Sequence, residues 1–175
     1  MGLVGWGGEA MEAMEEEHAS TPPFGNPATP TSLPPPPTIA LRIWDVRKPG
    51  STMIIPAHKF EILTCDWNKY DDCCIVTASV DKIIKVWDVR SYRVPISVLS
   101  GHGYAVRKVR FSLHRQGLMV SCSYDMTVCL WDYMLEDALM GRYDHHMEFA
   151  VGVDMSVLVE GLLASTGWDE LVYVW

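Results

Sequence analysis

The chain has 175 residues, a formal net charge of −8 at pH 7 and 49% hydrophobic residues. This length predicts one domain with a sizeable core, and no apolar run approaches the roughly 20 residues that cross a bilayer. The first 20 residues lack the basic region and the apolar run of a secretory signal. The acidic balance argues against nucleic-acid binding through a broad basic face. We therefore expect a soluble intracellular protein without direct membrane insertion and without a nucleic-acid partner.

Residues 1–40 differ in composition from the rest of the chain. They hold eight of the 11 prolines, and residues 1–41 contain five Glu but no Lys or Arg. Such a segment cannot bury enough apolar surface to offset its ordering entropy. We predict a disordered, acidic and proline-rich leader; a transient helix over residues 9–18 and a proline-rich ligand segment are the alternatives.

From Leu41 onward the sequence repeats with a period of 44 residues. The residues that keep this spacing are His58, His102 and His146; Asp81, Asp125 and Asp169; and Trp87, Trp131 and Trp175. The segments "ILTCDW" (62–67), "VRKVRF" (106–111) and "AVGVDM" (150–155) fall in the same register. A period of this length with Gly-His and Trp-Asp signatures resembles the WD40 repeat, each copy of which is one four-stranded blade of a β-propeller.

The local sequence agrees with four strands per repeat. "DCCIVTAS", "QGLMVSCS" and "EGLLASTG" are apolar runs typical of buried strands. A turn holding one of the periodic Asp residues follows each run, and then comes a strand that ends on Trp. We predict an all-β WD40 propeller of about three and a half blades: a partial blade over 41–57 and repeats over about 58–101, 102–145 and 146–175.

Each repeat also contains a hydroxyl, a His and an Asp, which taken singly could form a nucleophile, base and orienting acid. Three evenly spaced copies make little sense for catalysis, which needs one pocket. The WD40 resemblance implies instead a structural tetrad of His, Ser or Thr, Asp and Trp in each blade. The tetrads are His58, Thr77, Asp81 and Trp87; His102, Ser121, Asp125 and Trp131; and His146, Ser165, Asp169 and Trp175. We expect no enzymatic activity, no catalytic residue and no cofactor.

The cysteines and paired histidines predict neither a disulfide nor a metal site. Five cysteines without C-x-x-C spacing indicate reduced thiols. Cys122 and Cys129 could face each other across a hairpin, which is the weaker alternative. His145-His146 and Cys73-Cys74 are adjacent pairs whose side chains point apart on a strand, and His146 already belongs to the periodic set.

The loops on the face that carries the periodic His and Asp residues are the predicted partner-binding surface, which we call the rim. The rim residues are Phe60, Glu61, Tyr104, Tyr124, Glu148, Phe149, Trp168 and Glu170. Aromatic anchors beside acidic groups suit a partner with one apolar face and one or two cationic side chains. The alternative for each aromatic residue is packing between blades.

A closer resemblance extends over essentially all of residues 41–175. Phrases such as "CDWNKYDD", "GHGYAVRKV" and "DHHMEFAVG" resemble the C-terminal half of the peroxisomal receptors for type-2 targeting signals. The resemblance implies a seven-bladed cargo receptor that binds an N-terminal helix of the form Arg-Leu, five residues, His-Leu. It also implies an import co-receptor as a second partner, and shuttling between cytoplasm and peroxisome matrix.

Two features leave alternatives open. "WDVR" at 44–47 and 87–90 is found in propellers that serve as substrate receptors of cullin–RING ubiquitin ligases, and another scaffold role is also consistent with a propeller. The repeats begin at the third strand of one blade and stop before the fourth strand of another, so we expect a truncated receptor.

Overall fold

The computed structural model describes residues 38–175, and these residues form 13 β-strands without a helix. The strands are β1 (Ile39–Trp44), β2 (Ser51–His58), β3 (Ile62–Trp67), β4 (Cys74–Ser79), β5 (Ile83–Asp88), β6 (Ser97–Ser100), β7 (Val106–Phe111), β8 (Leu118–Ser123), β9 (Val128–Asp132), β10 (Leu139–Tyr143), β11 (Ala150–Met155), β12 (Leu163–Gly167) and β13 (Val172–Val174). The prediction of an all-β chain is confirmed for this part of the sequence.

The strands form four antiparallel sheets. Sheet A contains β1 and β2, sheet B contains β3 to β6, sheet C contains β7 to β10, and sheet D contains β11 to β13. Neighbouring strands within each sheet are consecutive in the chain, as in a propeller blade. The partial WD40 propeller predicted from the repeat is therefore the fold observed.

The boundary of the leader is corrected by the structure. Strand β1 begins at Ile39, so two residues assigned to the leader belong to a strand. Ala40 pairs with Pro56 on β2, which explains why an apolar pair just before Leu41 is already ordered. The other predictions for the leader, including the helix over 9–18, lie outside the described residues.

The core lies between neighbouring sheets. Between sheets B and C, Val76, Val86 and Ile84 pack with Val109 and Met119, and none of these side chains is exposed. A second cluster joins β8 and β9 to sheet D, and a third joins sheet A to sheet B. Because both faces of β4 are covered, every residue of this strand is buried, which explains its continuous run of apolar and small residues.

A buried carboxylate joins two of the innermost strands. Asp66 on β3 accepts a hydrogen bond from the Phe111 amide of β7 at 2.9 Å. The same carboxylate lies 2.9 Å from Lys69 Nζ and 3.4 Å from Arg110 Nη1. The contacts with Phe111 and Arg110 link sheet B to sheet C, and so help to set the position of one blade against the next.

The turns that follow β4 and β8 share one geometry. In each turn a serine hydroxyl accepts the amide of the periodic Asp, Ser79 for Asp81 and Ser123 for Asp125, both at 3.1 Å. The two hydroxyls donate to the carbonyls of Phe60 and Tyr104, respectively. The loop before the innermost strand and the turn after the second strand are therefore held together, which builds the rim.

Several functional possibilities can be checked within residues 38–175. No helix there is long and apolar enough to span a membrane. No group of three or more His, Cys, Asp or Glu side chains in this part of the chain is arranged to hold a metal ion. No disulfide joins any of the five cysteines, which include Cys122 and Cys129.

Candidate functional site: the rim of the blades

The first His–Asp–hydroxyl set is complete. His58 Nδ1 lies 2.9 Å from Asp81 Oδ2, and His58 Nε2 lies 2.9 Å from the Thr77 hydroxyl. The indole of Trp87 donates to the same hydroxyl at 2.9 Å. His58 and Thr77 are almost fully buried, so every polar group of the set finds its partner inside the protein.

The second set has the same arrangement. His102 Nδ1 lies 3.0 Å from Asp125 Oδ2, and His102 Nε2 lies 2.7 Å from the Ser121 hydroxyl. Trp131 Nε1 donates to Ser121 at 2.8 Å. The backbone amide of Gly103 adds a further hydrogen bond to Asp125 at 2.7 Å, which ties the loop to the turn.

The third set lacks one of its predicted members. His146 lies 2.9 Å from Asp169 and 2.8 Å from the Ser165 hydroxyl. Trp175 Nε1, however, is buried and has no hydrogen-bond partner among residues 38–175, so its predicted bond to Ser165 is absent. Its ring packs instead against Tyr143 and His145, with centroids 5.5 Å and 5.3 Å away. Aromatic packing at the end of the short strand β13 therefore replaces the predicted hydrogen bond.

The first two histidines differ in pKa although their geometry is nearly identical. Burial lowers the pKa of His58 and outweighs the hydrogen bond with Asp81, and the Lys85 ammonium acts in the same direction as burial. Burial also disfavours charge on His102, but the hydrogen bond with Asp125 and the Cys129 thiol raise its pKa to about 9. Lys85 pairs with Thr77 as Cys129 pairs with Ser121. One register position thus carries a cation in one blade and a thiol in the next.

The three hydroxyls are inaccessible to a substrate. The exposed fraction is at most 1% for each of Thr77, Ser121 and Ser165. Each accepts or donates hydrogen bonds inside its own blade, and none faces an open pocket. A nucleophile needs access to the reacting carbonyl or phosphoryl group, and this arrangement gives none.

Three of the predicted rim aromatics form one cluster. The ring of Phe149 lies 5.0 Å from that of Tyr124 and 5.2 Å from that of Trp168, between centroids. Tyr124 and Phe149 are half-buried, whereas Trp168 is 63% exposed. Tyr124 and Phe149 therefore pack partly against neighbouring rings, and the Trp168 ring is largely exposed.

The remaining predicted rim residues surround this cluster at varying distance. Glu148 and Glu170 are exposed and flank Phe149 and Trp168 in the sequence. Tyr104 is 64% exposed, and Lys82 Nζ lies 5.5 Å from the centre of its ring. Phe60 and Glu61 are exposed on the neighbouring loop of sheet B, away from the cluster.

An open depression of about 420 Å³ lies in the middle of the rim. It is lined by Gly103, Tyr104, Tyr124, Asp125, Met126, Thr127, Arg142 and Phe149. Arg142 donates to the Gly101 carbonyl at 2.6 Å and lies 3.3 Å from Asp125. Sequence analysis missed Met126 and Lys82, although both directly follow a periodic Asp and the 44-residue register could have identified them.

The arginines of the two "WDVR" segments pair with their own aspartates. Arg47 Nε lies 2.9 Å from Asp45, and Arg90 Nη2 lies 2.8 Å from Asp88. Both side chains are largely exposed. The two segments therefore share one local arrangement of the arginine and its aspartate.

Comparison with known proteins identifies the repeat and relatives of the chain. The family described as "WD domain, G-beta repeat" matches this chain over residues 49–88 and 93–132. Peroxisome biogenesis protein 7 of Arabidopsis thaliana is 82% identical over 85 residues, which are 49% of this chain and 27% of the relative. The peroxisomal targeting signal 2 receptor of Schizosaccharomyces pombe is 33% identical over 135 residues, 77% of this chain and 43% of the relative. The receptor of the same name from Mus musculus is 43% identical over 86 residues, 49% of this chain and 27% of the relative. The chain spans less than half the length of each.

Proposed function

We propose that this chain, a WD40-repeat protein homologous to the peroxisomal targeting signal 2 receptors, binds the type-2 signal helix of peroxisomal cargo on its rim. The relatives from Schizosaccharomyces pombe and Mus musculus carry that receptor name. The observation that supports this proposal most directly is the aromatic cluster of half-buried Tyr124 and Phe149 with exposed Trp168, beside two exposed glutamates.

The chemistry of the signal fits this surface. In a helix of the form Arg-Leu, five residues, His-Leu, the leucines lie on one stripe with the cationic side chains beside it. The leucines would contact the aromatic rings and the depression, where burying one leucine side chain contributes about 1.5–3 kcal/mol. The arginine would lie near Glu148 or Glu170 and the face of Trp168.

The buried His–Asp–hydroxyl sets have a structural role in this proposal. They hold the loops that present the rim, and we assign no catalytic function, cofactor or metal to them. The proposed partners are cargo with a type-2 signal and an import co-receptor that covers the bound helix. The proposed location is cytoplasm and peroxisome matrix, between which a cargo receptor cycles. The ligase-adaptor alternative has less support, because relatives that the chain matches are named as targeting signal 2 receptors and "WDVR" alone is a short phrase.

The test is binding of a fluorescein-labelled signal peptide to the 175-residue chain, followed by fluorescence anisotropy. We expect saturable binding that Trp168→Ala weakens about tenfold or more, since exposed aromatic anchors carry a large share of interface energy. The matched control is Trp44→Ala, because Trp44 is similarly exposed but lies on β1 outside the rim. Absence of binding to the unmodified chain, or an equal effect of both variants, would contradict the proposal.

A further inference from the structure

Three equivalent turn residues on the rim have unusual backbone conformations. Lys82, Met126 and Glu170 each follow a periodic Asp, and their φ angles are 70°, 66° and 61°. An L-residue with a side chain costs roughly 1–2 kcal/mol in this left-handed region, and glycine adopts it without that cost. All three turns nevertheless carry long side chains, which indicates that the side chains have a use beyond the turn.

The chemistry of these side chains changes in order across the three blades. The cation of Lys82 belongs to sheet B, the apolar chain of Met126 to sheet C, and the carboxylate of Glu170 to sheet D. Because the turns are equivalent, the three side chains leave the same point of successive blades. The side chain at this turn position is therefore cationic in one blade, apolar in the next and anionic in the third.

Aromatic rings form a continuous strip between the first and the last of these turns. Lys82 Nζ lies over the Tyr104 ring. Tyr104, Met126, Tyr124 and Phe149 all line the central depression. From Phe149 the strip continues to Trp168, two residues before Glu170.

The other charged groups on the rim also bear on the difference in charge between its two ends. At the sheet B end, the two cations of Lys59 and Lys82 are matched by the two carboxylates of Glu61 and Asp81, and Asp81 is bound to His58. At the sheet D end, Glu148 and Glu170 are both exposed, and the Asp169 carboxylate is bound to His146. In the middle, Arg142 and Asp125 pair with each other at 3.3 Å. The sheet D end is therefore the more acidic of the two.

We propose that this strip binds the signal helix in one orientation, with its N-terminus over Glu170 and its C-terminus over Lys82; the inference rests on the proposed function. A helix carries partial positive charge at its N-terminus and partial negative charge at its C-terminus. The signal adds its arginine at the N-terminal end, beside Glu170 and Trp168. Its central apolar stripe lies over Met126 and the depression.

Orientation is measured directly by photo-crosslinking to the 175-residue chain. Two signal peptides carry benzoylphenylalanine, one just before the Arg and one just after the final Leu, and the adducts are mapped by mass spectrometry. We expect the N-terminal probe to attach near residues 168–171 and the C-terminal probe near residues 80–82 or 104. The reverse pattern, or the same adducts from both probes, would overturn the orientation while leaving the proposed function intact. Failure of both peptides to bind would instead overturn the proposed function.

Glycine variants test the contribution of the graded side chains without disturbing the turns. Glu170→Gly and Lys82→Gly remove a side chain and relieve the left-handed conformation, so loss of folding cannot explain loss of binding. We expect Glu170→Gly to weaken binding of the wild-type peptide about fivefold or more. A peptide whose Arg is replaced by Ala should lose no further affinity in this variant. Lys48→Gly, in the exposed loop between β1 and β2, is the control; equal binding by Glu170→Gly and Lys48→Gly would contradict the assignment.

Discussion

Individual residues at equivalent positions of the repeat have different electrostatic roles. The neighbours of the buried histidines show this most clearly, because Lys85 and Cys129 occupy the same register position. Beside Lys85, the pKa of His58 is lowered by burial, which favours the neutral ring. Beside Cys129 and despite burial, the pKa of His102 is raised to about 9 by its contacts with Asp125 and Cys129, which favours the protonated ring. Repetition of the backbone thus does not imply repetition of the charge state.

The raised pKa of His102 predicts a pH dependence of stability. A group whose folded pKa is about 9 and whose ordinary value is 6.5 stabilises the fold fully below pH 6.5. That contribution is lost as the pH rises from 6.5 through 9. We expect the free energy of unfolding by urea to fall over this range in the unmodified chain, and to fall less in His102→Gln.

The matched variant for this measurement is His58→Gln. The pKa of His58 is lowered, so its contribution is present above pH 6.5 and is lost only on acidification. His58→Gln should therefore keep the decline between pH 6.5 and 9. An identical pH profile in the two variants would show that His102 is not charged in the folded chain.

The left-handed turn at Met126 gives a second prediction for a single residue. Met126 has a φ of 66°, and a β-branched side chain is disfavoured there more strongly than an unbranched one. Met126→Val should lower the free energy of unfolding, because the branched Cβ adds to the cost that methionine already carries. Met126→Gly removes that cost and should leave the free energy of unfolding unchanged or raise it by up to about 1–2 kcal/mol. Chemical denaturation measures both, and a loss of stability in the glycine variant would contradict the argument.

At the level of strands and sheets, the innermost strands carry a contact that the repeat does not duplicate. Asp66, Arg110 and Asp154 occupy the same register position on β3, β7 and β11. Asp66 is buried and accepts the Phe111 amide, whereas Asp154 is exposed and accepts the amide of Met155, its own neighbour. Only the first carboxylate joins two sheets in this way.

Removing this carboxylate should destabilise the junction between sheets B and C. Asp66→Leu leaves the buried Phe111 amide without an acceptor, which costs about 1–3 kcal/mol. Asp154→Leu, at the equivalent exposed position, should change the free energy of unfolding by less than about 0.5 kcal/mol. Urea unfolding of the two variants compares them; equal effects would show that Asp66 does not join the sheets.

The elements of the blades could be predicted from sequence because they depend on periodic features. Alternation, buried apolar runs and the spacing of His58, Asp81 and Trp87 determine where strands and turns lie, and these features repeat. Two findings could not be predicted in the same way. The missing hydrogen bond of the Trp175 indole depends on how its ring packs against Tyr143 and His145. The change of charge along the rim depends on side chains that differ between blades.

At the level of the whole molecule, sheet D leaves a strand edge unpaired. Sheets B and C each have a fourth strand outside the third, but within residues 38–175 no strand pairs with the outer side of β13. Val172 and Val174 on this strand are 66% and 62% exposed. An exposed apolar edge is a site for pairing with another chain, so we expect the 175-residue chain to associate as its concentration rises.

This association can be measured by light scattering after gel filtration. Val172→Lys with Val174→Lys should shift the mass toward that of the monomer, because charge on an edge strand opposes pairing. Val46→Lys with Val94→Lys, which alters exposed loop valines away from β13, is the matched control. An unchanged mass in the first variant would show that association uses another surface.

The central claim is that an aromatic and acidic rim recognises a cationic amphipathic helix. The most direct measurement is the affinity of the 175-residue chain for two signal peptides that differ only in Arg or Glu at the first signal position. The account predicts saturable binding of the Arg peptide and at least tenfold weaker binding of the Glu peptide, because Glu148 and Glu170 repel the added carboxylate. Equal affinity for the two peptides would contradict the account.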